Sequence, residues 1–242
     1  MTTPVSLPPK PAKPAKPAKP AKPAKPAKPL SPKAEYRAKL ERAKAITGGL
    51  GQTAKMPCPS YGLPATQCNT GGKLRDVEGS VCSGCYALKG NYMRFKAITA
   101  QQHTRLASIA HPEWVDCMIT LIRHANCAYF RWHDSGDLQS YDHLTRIALI
   151  AEALPETKFW LPTLERRIVV AWANLNTVPA NLTIRVSTPM VDTKPTSTGW
   201  LTSSVTTDKT AVTCHATLRH RSCEDCRACW SRDVQHVTYL QH

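Results

Sequence analysis

The residues best able to do chemistry in this 242-residue chain are its ten cysteines, eight of which fall into two groups. One group is Cys58, Cys68, Cys82 and Cys85; the other is Cys214, Cys223, Cys226 and Cys229. In the second group, Cys223-Glu-Asp-Cys226-Arg-Ala-Cys229 places three thiols in seven residues, with Cys214 nine residues upstream. Successive Cys-x-x-Cys steps wrap a loop around a compact multi-iron core, whereas structural zinc more often takes two pairs set well apart. The spacing therefore favours an iron–sulfur cluster, with zinc as the alternative. Arg219, His220, Arg221 and Arg227 would offset the negative charge of ligated thiolates, or else form a solvated basic rim. The first group holds one tight pair, Cys82-Ser-Gly-Cys85, a spacing shared with zinc knuckles and thiol redox motifs. Cys58 and Cys68 are available to complete that site, and a zinc ribbon joining Cys82 and Cys85 to two C-terminal thiols stays open. Cys117 shares a helix face with Trp114 and Leu121 and reads as core, as does Cys127 at the start of a strand.

A second concentration of chemistry is His133-Asp134-Ser135-Gly136-Asp137, an imidazole and two carboxylates around a glycine that permits close approach. His133, Asp134 and Asp137 are candidates for proton transfer, or for contacts to a ribose or amino group of a ligand. The plainer alternative is a polar turn in which Asp137 caps a helix starting at Leu138. Thr163, Glu165 and Arg166 read as a helix start, and Arg185 points either into a strand-end mouth or to solvent. The chain lacks a phosphate-binding Gly-x-x-x-x-Gly-Lys loop, a Gly-x-Ser-x-Gly elbow and a His-Glu-x-x-His pair; His111-Pro-Glu113 has no Pro-Cys-x-x-Cys after it, so the zinc deaminase pattern fails too.

Elements must position these groups. Cys127–His133 reads as a strand, Leu144, Ile147, Ala148, Ala151 and Leu154 as a helix stripe, Lys158–Pro162 as a strand, Glu165–Leu175 as a helix and Leu182–Ser187 as a third strand. Strand and helix in alternation mean parallel pairing, with chemistry gathered at the C-terminal strand ends: His133–Asp137, Thr163–Arg166 and Ser187-Thr188. Upstream, the composition predicts helices over 34–46, 94–109 and from Pro112 to His124, around an irregular, Gly- and Pro-rich stretch from Gln52 to Ser80. Beyond Pro189 the chain turns Thr- and Ser-rich.

Charge divides the chain. The formal net charge is +15, and residues 1–33 carry eight lysines and eleven of the 20 prolines without one acidic residue. Its Pro-Ala-Lys repeat predicts an extended tether capable of nonspecific, salt-sensitive contact with nucleic acid, but without aromatic residues to stack on bases. No apolar run approaches the roughly 18 residues of a membrane span, and the N-terminal residues lack the apolar stretch expected of a signal peptide. A reducing cytoplasm, which disfavours disulfides, is the expected compartment.

The string Cys82-x-x-Cys85-Tyr86-Ala87, Lys89-Gly90-x-Tyr92, and the later Arg131-Trp-His-Asp-Ser-Gly-Asp137 resembles the phage-encoded gene product 88 family, over about Gln52 to Trp230. The Cys-x-x-Cys-Tyr-Ala element is also similar to the end of the cluster motif of radical S-adenosylmethionine enzymes. That likeness implies a partial (β/α) barrel with a 4Fe-4S cluster at its strand-end mouth, in an infected bacterial host's cytoplasm. It also implies cofactor contacts from Tyr86, Arg131, Ser135 and Gly136. One departure matters: where those enzymes have Cys-x-x-x-Cys-x-x-Cys, Glu78 stands in place of the first cysteine, and Cys68 is the nearest upstream thiol. With Cys58 also available, every iron could be protein-ligated, and a closed cluster would not bind S-adenosylmethionine in the usual way.

The combined expectation is a tether over 1–33 and an α/β iron–sulfur domain over 34–242, with a cysteine-rich segment from about 203. It would bind one or two 4Fe-4S clusters and S-adenosylmethionine if an iron stays open, for redox or radical chemistry or for structure. The rival reading is a zinc-stabilised nucleic-acid-binding accessory protein.

Overall fold

The structure, a computed structural model, describes residues 30–53, 55–196, 199–217, 219 and 222–241. Most of the expected tether, with His220 and Arg221, lies outside the described residues.

The first helix, α1 (Pro32–Thr47), starts where the Ser31 side chain accepts from the Ala34 N–H and stops at Gly48, whose φ of 76° favours glycine. A two-residue strand β1 (Gly51–Gln52) and β2 (Pro59–Tyr61) follow, then the short helix α2 (Asn69–Leu74). The helix expected over 94–109 is instead two: α3 (Asn91–Arg94) and α4 (Lys96–Ser108), separated at extended Phe95. Next come α5 (Trp114–Ala125), β3 (Tyr129–Trp132), α6 (Tyr141–Ala153), β4 (Lys158–Thr163), α7 (Arg166–Ala173) and β5 (Leu182–Ser187). The sheet is completed by β6 (Leu201–Thr206) and β7 (His236–Leu240), which sequence periodicity did not show, as it did not show β1 and β2 in the stretch expected to be irregular.

All seven strands form one sheet in chain order, β1 to β7; β1 is antiparallel to β2 and every later pairing is parallel. The α/β class and the parallel pairing therefore hold.

Strand alternation divides the core between the two sheet faces. On one, Phe130, Trp132, Phe159, Leu161, Leu182 and Ile184 pack against Trp114, Met118 and Ile122 of α5, Leu144 and Ile147 of α6, and Val169 and Trp172 of α7. On the other, Tyr129 and Trp160 meet Trp230, Val237 and Tyr239. This second face is covered by the segment between β6 and β7, which holds the four C-terminal cysteines. Arg185 enters neither the mouth nor solvent. It is fully buried beneath that segment and donates to the carbonyls of Thr202, Ala228, Cys229, Ser231 and Val234. Among the described residues no helix is long and apolar enough to cross a membrane.

Candidate functional site

The turn after β3 sits at the C-terminal strand ends, as expected. Asp137 does not cap a helix at Leu138: α6 begins at Tyr141, with the Ser140 Oγ accepting from the His143 N–H at 3.1 Å. Asp137 instead clamps two strand ends together. Its Oδ1 accepts from the Leu138 N–H and the Thr163 hydroxyl, both at 2.6 Å, and its Oδ2 from the Leu164 N–H at 2.9 Å. Burial pushes its pKa up to about 6, against the pull of those donors.

The neighbouring carboxylate, Glu165, reaches across to the cysteine loop. It accepts from the Thr70 N–H at 2.7 Å and the Thr70 hydroxyl at 2.9 Å, which fixes the first turn of α2 directly after Cys68. Sequence reasoning gave Glu165 only a helix start, since its partner lies 95 residues away. Asp134 performs the same task for the Cys85 loop. Its carbonyl accepts from the Tyr86 hydroxyl and its Oδ2 from the Tyr92 hydroxyl at 2.8 Å. Asp134 of the acidic turn and Glu165 after β4 thus hold two cysteine-bearing loops over the strand ends.

Over the strand ends the Cys68 and Cys82 side chains are neighbours, and Cys85 follows on the loop of Cys82, its N–H donating to the Cys82 carbonyl at 3.3 Å. Gly71 leaves room for them, because a Cβ built there would lie 3.1 Å from the Cys68 Cβ and 3.2 Å from the Cys82 Sγ. Burial pushes the Cys68 thiol up to about 12, and Asp137, Cys85, Cys82 and Glu165 add to the shift. Burial and then Cys85 push Cys82 up to about 11. Backbone bonds from Val81 to the Pro189 carbonyl and between Ser80 and Met190 tie this loop to the end of β5.

Cys58 is not in this group. It precedes β2 while Cys68 follows it, so the strand holds them at opposite ends of the sheet. Cys58 is buried with Cys214, Cys223 and Cys229 on the second sheet face, among Met56, Trp160, Trp230 and Tyr239. Its thiol is pushed up to about 12 by burial and then by Cys127, with Cys223 adding and Arg131 and Arg227 opposing. Grouping Cys58 with Cys68 by sequence distance is corrected here. The Cys223 N–H donates to the Lys55 carbonyl at 3.0 Å, bringing the C-terminal segment beside Cys58. The Cys226 N–H donates to the Cys223 carbonyl at 2.9 Å, closing the Cys-x-x-Cys turn, and Arg227 lies over Tyr129. Cys226 itself is exposed, and the Cys229 Sγ lies 3.3 Å from the Tyr239 hydroxyl. Cys117 is buried beside Leu121 and Cys127 packs against the main core.

The remaining candidates scatter around the turn. The His133 φ is 55° and its ring is buried 5.3 Å from the His143 ring, with neither nitrogen hydrogen-bonded among the described residues. Burial and then His143 hold its pKa well below the usual imidazole value. Ser135 donates to the Leu63 carbonyl and accepts from the Gln102 side chain, both at 2.6 Å. The close approach that Gly136 permits is to Leu63, whose carbonyl oxygen would lie 2.7 Å from an added Cβ. Arg131 stacks 4.5 Å over Trp160 on the face that holds the C-terminal thiols.

All ten cysteines are free thiols. Among the described residues no group of three or more His, Cys, Asp and Glu side chains is placed so that it could hold a metal ion. Cys68, Cys82 and Cys85 lie on the loops over the strand ends, whereas Cys58, Cys214, Cys223 and Cys229 pack against the sheet.

No curated protein and no solved structure matches the chain. The likeness to radical S-adenosylmethionine enzymes gains no support from these comparisons. The family model for gene product 88 matches residues 25–232, which is most of the chain. By that match, and in agreement with its cysteine and acidic-turn motifs, the chain belongs to the gene product 88 family.

Proposed function

We propose that this chain is an iron–sulfur protein whose sheet curves as a partial (β/α) barrel, with a cluster held at the strand-end mouth by Cys68, Cys82 and Cys85. The observation that carries the reading is that carboxylates at the strand ends hold the two loops bearing these thiols, with the Cys68 and Cys82 side chains on either side of Gly71 and Cys58 on the other face; metal binding would have to draw the three thiols together. The donor set fits: cluster iron takes thiolates, and soft sulfur ligands suit it better than the carboxylates beneath. Parallel strands in chain order, with the cysteine loops at their C-terminal ends, are the arrangement such a barrel requires.

Removing Cys58 changes the chemistry expected of the site. Three protein thiols leave one iron of a four-iron cluster without a protein ligand. When bound, such a cluster supplies one-electron transfer and an iron position open to a substrate or to S-adenosylmethionine. The chain's own residues orient the loops: Glu165 through Thr70, Asp137 through the β3 and β4 ends, and Asp134 through Tyr86 and Tyr92. Burial keeps the Cys68 and Cys82 thiols protonated near neutral pH, so binding metal must release protons.

A second thiolate site, structural and filled by zinc or a closed cluster, is suggested for Cys58, Cys214, Cys223 and Cys229 by their packing in one cluster, Cys58 and Cys229 buried and Cys214 and Cys223 partly so. The test is anaerobic purification with iron, sulfide and zinc analysis of the wild type, Cys82→Ser and Cys58→Ser. The reading expects iron and sulfide that are lost in Cys82→Ser and retained in Cys58→Ser. Stoichiometric zinc with no visible absorption in the wild type would overturn it in favour of a zinc-stabilised accessory protein. The enzymatic form further expects S-adenosylmethionine to alter the reduced cluster's electron paramagnetic resonance signal.

A further inference from the structure

The segment that follows Cys85 presents a surface that the thiol chemistry does not use. From Gly79 to Pro112 the chain carries no Asp or Glu, while Lys89, Arg94 and Lys96 are exposed. Interleaved with them are large apolar side chains held in water: Tyr86 45 % exposed, Met93 49 % and Phe95 49 %. None of the three cations is in an ion pair among the described residues. The Arg94 guanidinium stands 5.9 Å from the Phe95 ring centre. The segment is fastened to the β3 turn through the Tyr86 and Tyr92 hydroxyls and to α4 through Thr99, whose hydroxyl donates to the Tyr92 carbonyl at 2.9 Å.

We propose that residues 86–96 bind single-stranded nucleic acid beside the cysteine mouth, Lys89, Arg94 and Lys96 following the phosphates and Phe95 stacking on a base. Exposed aromatic surface alternating with unpaired cations, and free of carboxylates, matches what an unpaired strand offers: a regular line of negative charge and accessible π-faces. A protein partner would recognise the apolar atoms but leave the cations without counterparts unless it were acidic. A duplex would present no open base faces to Phe95. The lysine-rich N-terminal segment adds attraction by charge but has nothing to stack, so the two contributions separate by experiment.

The experiment is fluorescence anisotropy of the full chain with labelled unstructured DNA and RNA oligonucleotides across a salt series, beside sedimentation with anionic phospholipid vesicles. Phe95→Ala is expected to weaken oligonucleotide binding about tenfold. Neutralising Lys89, Arg94 and Lys96 to Ala together is expected to lower the salt slope by about 2. Phe95→Leu keeps apolar bulk without the ring, and should lose as much affinity as Phe95→Ala while unfolding at the wild-type temperature. Oligonucleotide affinity within twofold of wild type in both the Phe95 and the triple variants would overturn the proposal, since the N-terminal lysines would then account for binding. It is equally overturned if these variants lose vesicle binding and keep oligonucleotide binding. The readout does not involve metal content, so its failure is separable from failure of the iron–sulfur reading.

Discussion

Arg185→Ala tests how the C-terminal cysteine segment is held. The side chain is fully buried, and its Nη2 donates to Ser231 at 2.7 Å, Val234 at 2.8 Å and Ala228 at 2.9 Å, with Nε to Cys229 at 3.1 Å and Nη1 to Thr202 at 3.3 Å. Four of these five carbonyls belong to residues 228–234, so one guanidinium fastens the loop carrying Cys229 to the middle of the sheet. Hydrogen bonds to charged groups contribute about 1.5–3 kcal/mol each, but a plain sum would overshoot because three acceptors share the two hydrogens of Nη2. Water entering the cavity would also satisfy some of the carbonyls. A loss of about 3–5 kcal/mol is the expected result, a large part of the stability of an ordinary domain. Urea unfolding followed by tryptophan fluorescence measures it, since Trp160 and Trp230 stand 5.3 Å apart beside the loop. Limited proteolysis should show cleavage within 207–235 before the rest of the chain opens. Arg185→Lys should recover only part of the loss, because a point charge cannot replace the guanidinium fork. A change below about 1 kcal/mol with an unaltered cleavage pattern would refute the argument.

Two further outcomes follow from the turn after β3. Gly136→Ala combines a φ of 73° with an added Cβ 2.6–2.8 Å from the Leu63 Cβ, carbonyl oxygen and carbonyl carbon, and backbone cannot rotate aside. We expect a loss of more than about 2 kcal/mol in chemical denaturation, and a wild-type midpoint would sink the idea. His143 is buried and its pKa is lowered to about 3, first by burial, so it stays neutral in the folded chain while the unfolded chain protonates it below its ordinary 6.5. Its contribution is therefore lost as pH falls: about 1.4 kcal/mol between pH 7.5 and 5.5, with His133 acting in the same direction. The gap between urea midpoints at those two pH values should narrow in His143→Asn, leaving the part that His133 supplies, and an acid sensitivity equal to wild type would contradict the assignment.

The alternating middle of the chain was legible in sequence. β5 matches the expected Leu182–Ser187 residue for residue, and α6 and α7 lie where their apolar stripes fell. Local rules suffice there, because a helix stripe or a buried strand declares itself within ten residues. β6 and β7 escaped for an equally local reason. Leu-Thr-Ser-Ser-Val-Thr buries hydroxyls as well as apolar groups, with Ser204 bonded to His236 at 2.9 Å and Thr202 to the same ring at 2.8 Å, so no apolar alternation marks the strand. The division of α3 from α4 at Phe95 likewise had no glycine or proline to announce it.

The sequence by itself determined which residue types the chain could offer a ligand: soft thiols in close pairs, a turn with two carboxylates, and a cationic segment without acids. Only the tertiary structure decided which of them meet. Cys58 and Cys68 are ten residues apart and end on different parts of the sheet because β2 runs between them; Cys58 and Cys223 are 165 residues apart and become neighbours because β7 returns parallel to β6. Spacing along a chain limits distance in space only where the intervening backbone is a loop. A strand forces its two ends apart by about 3.3 Å per residue, and a crossover brings together residues that no local pattern relates.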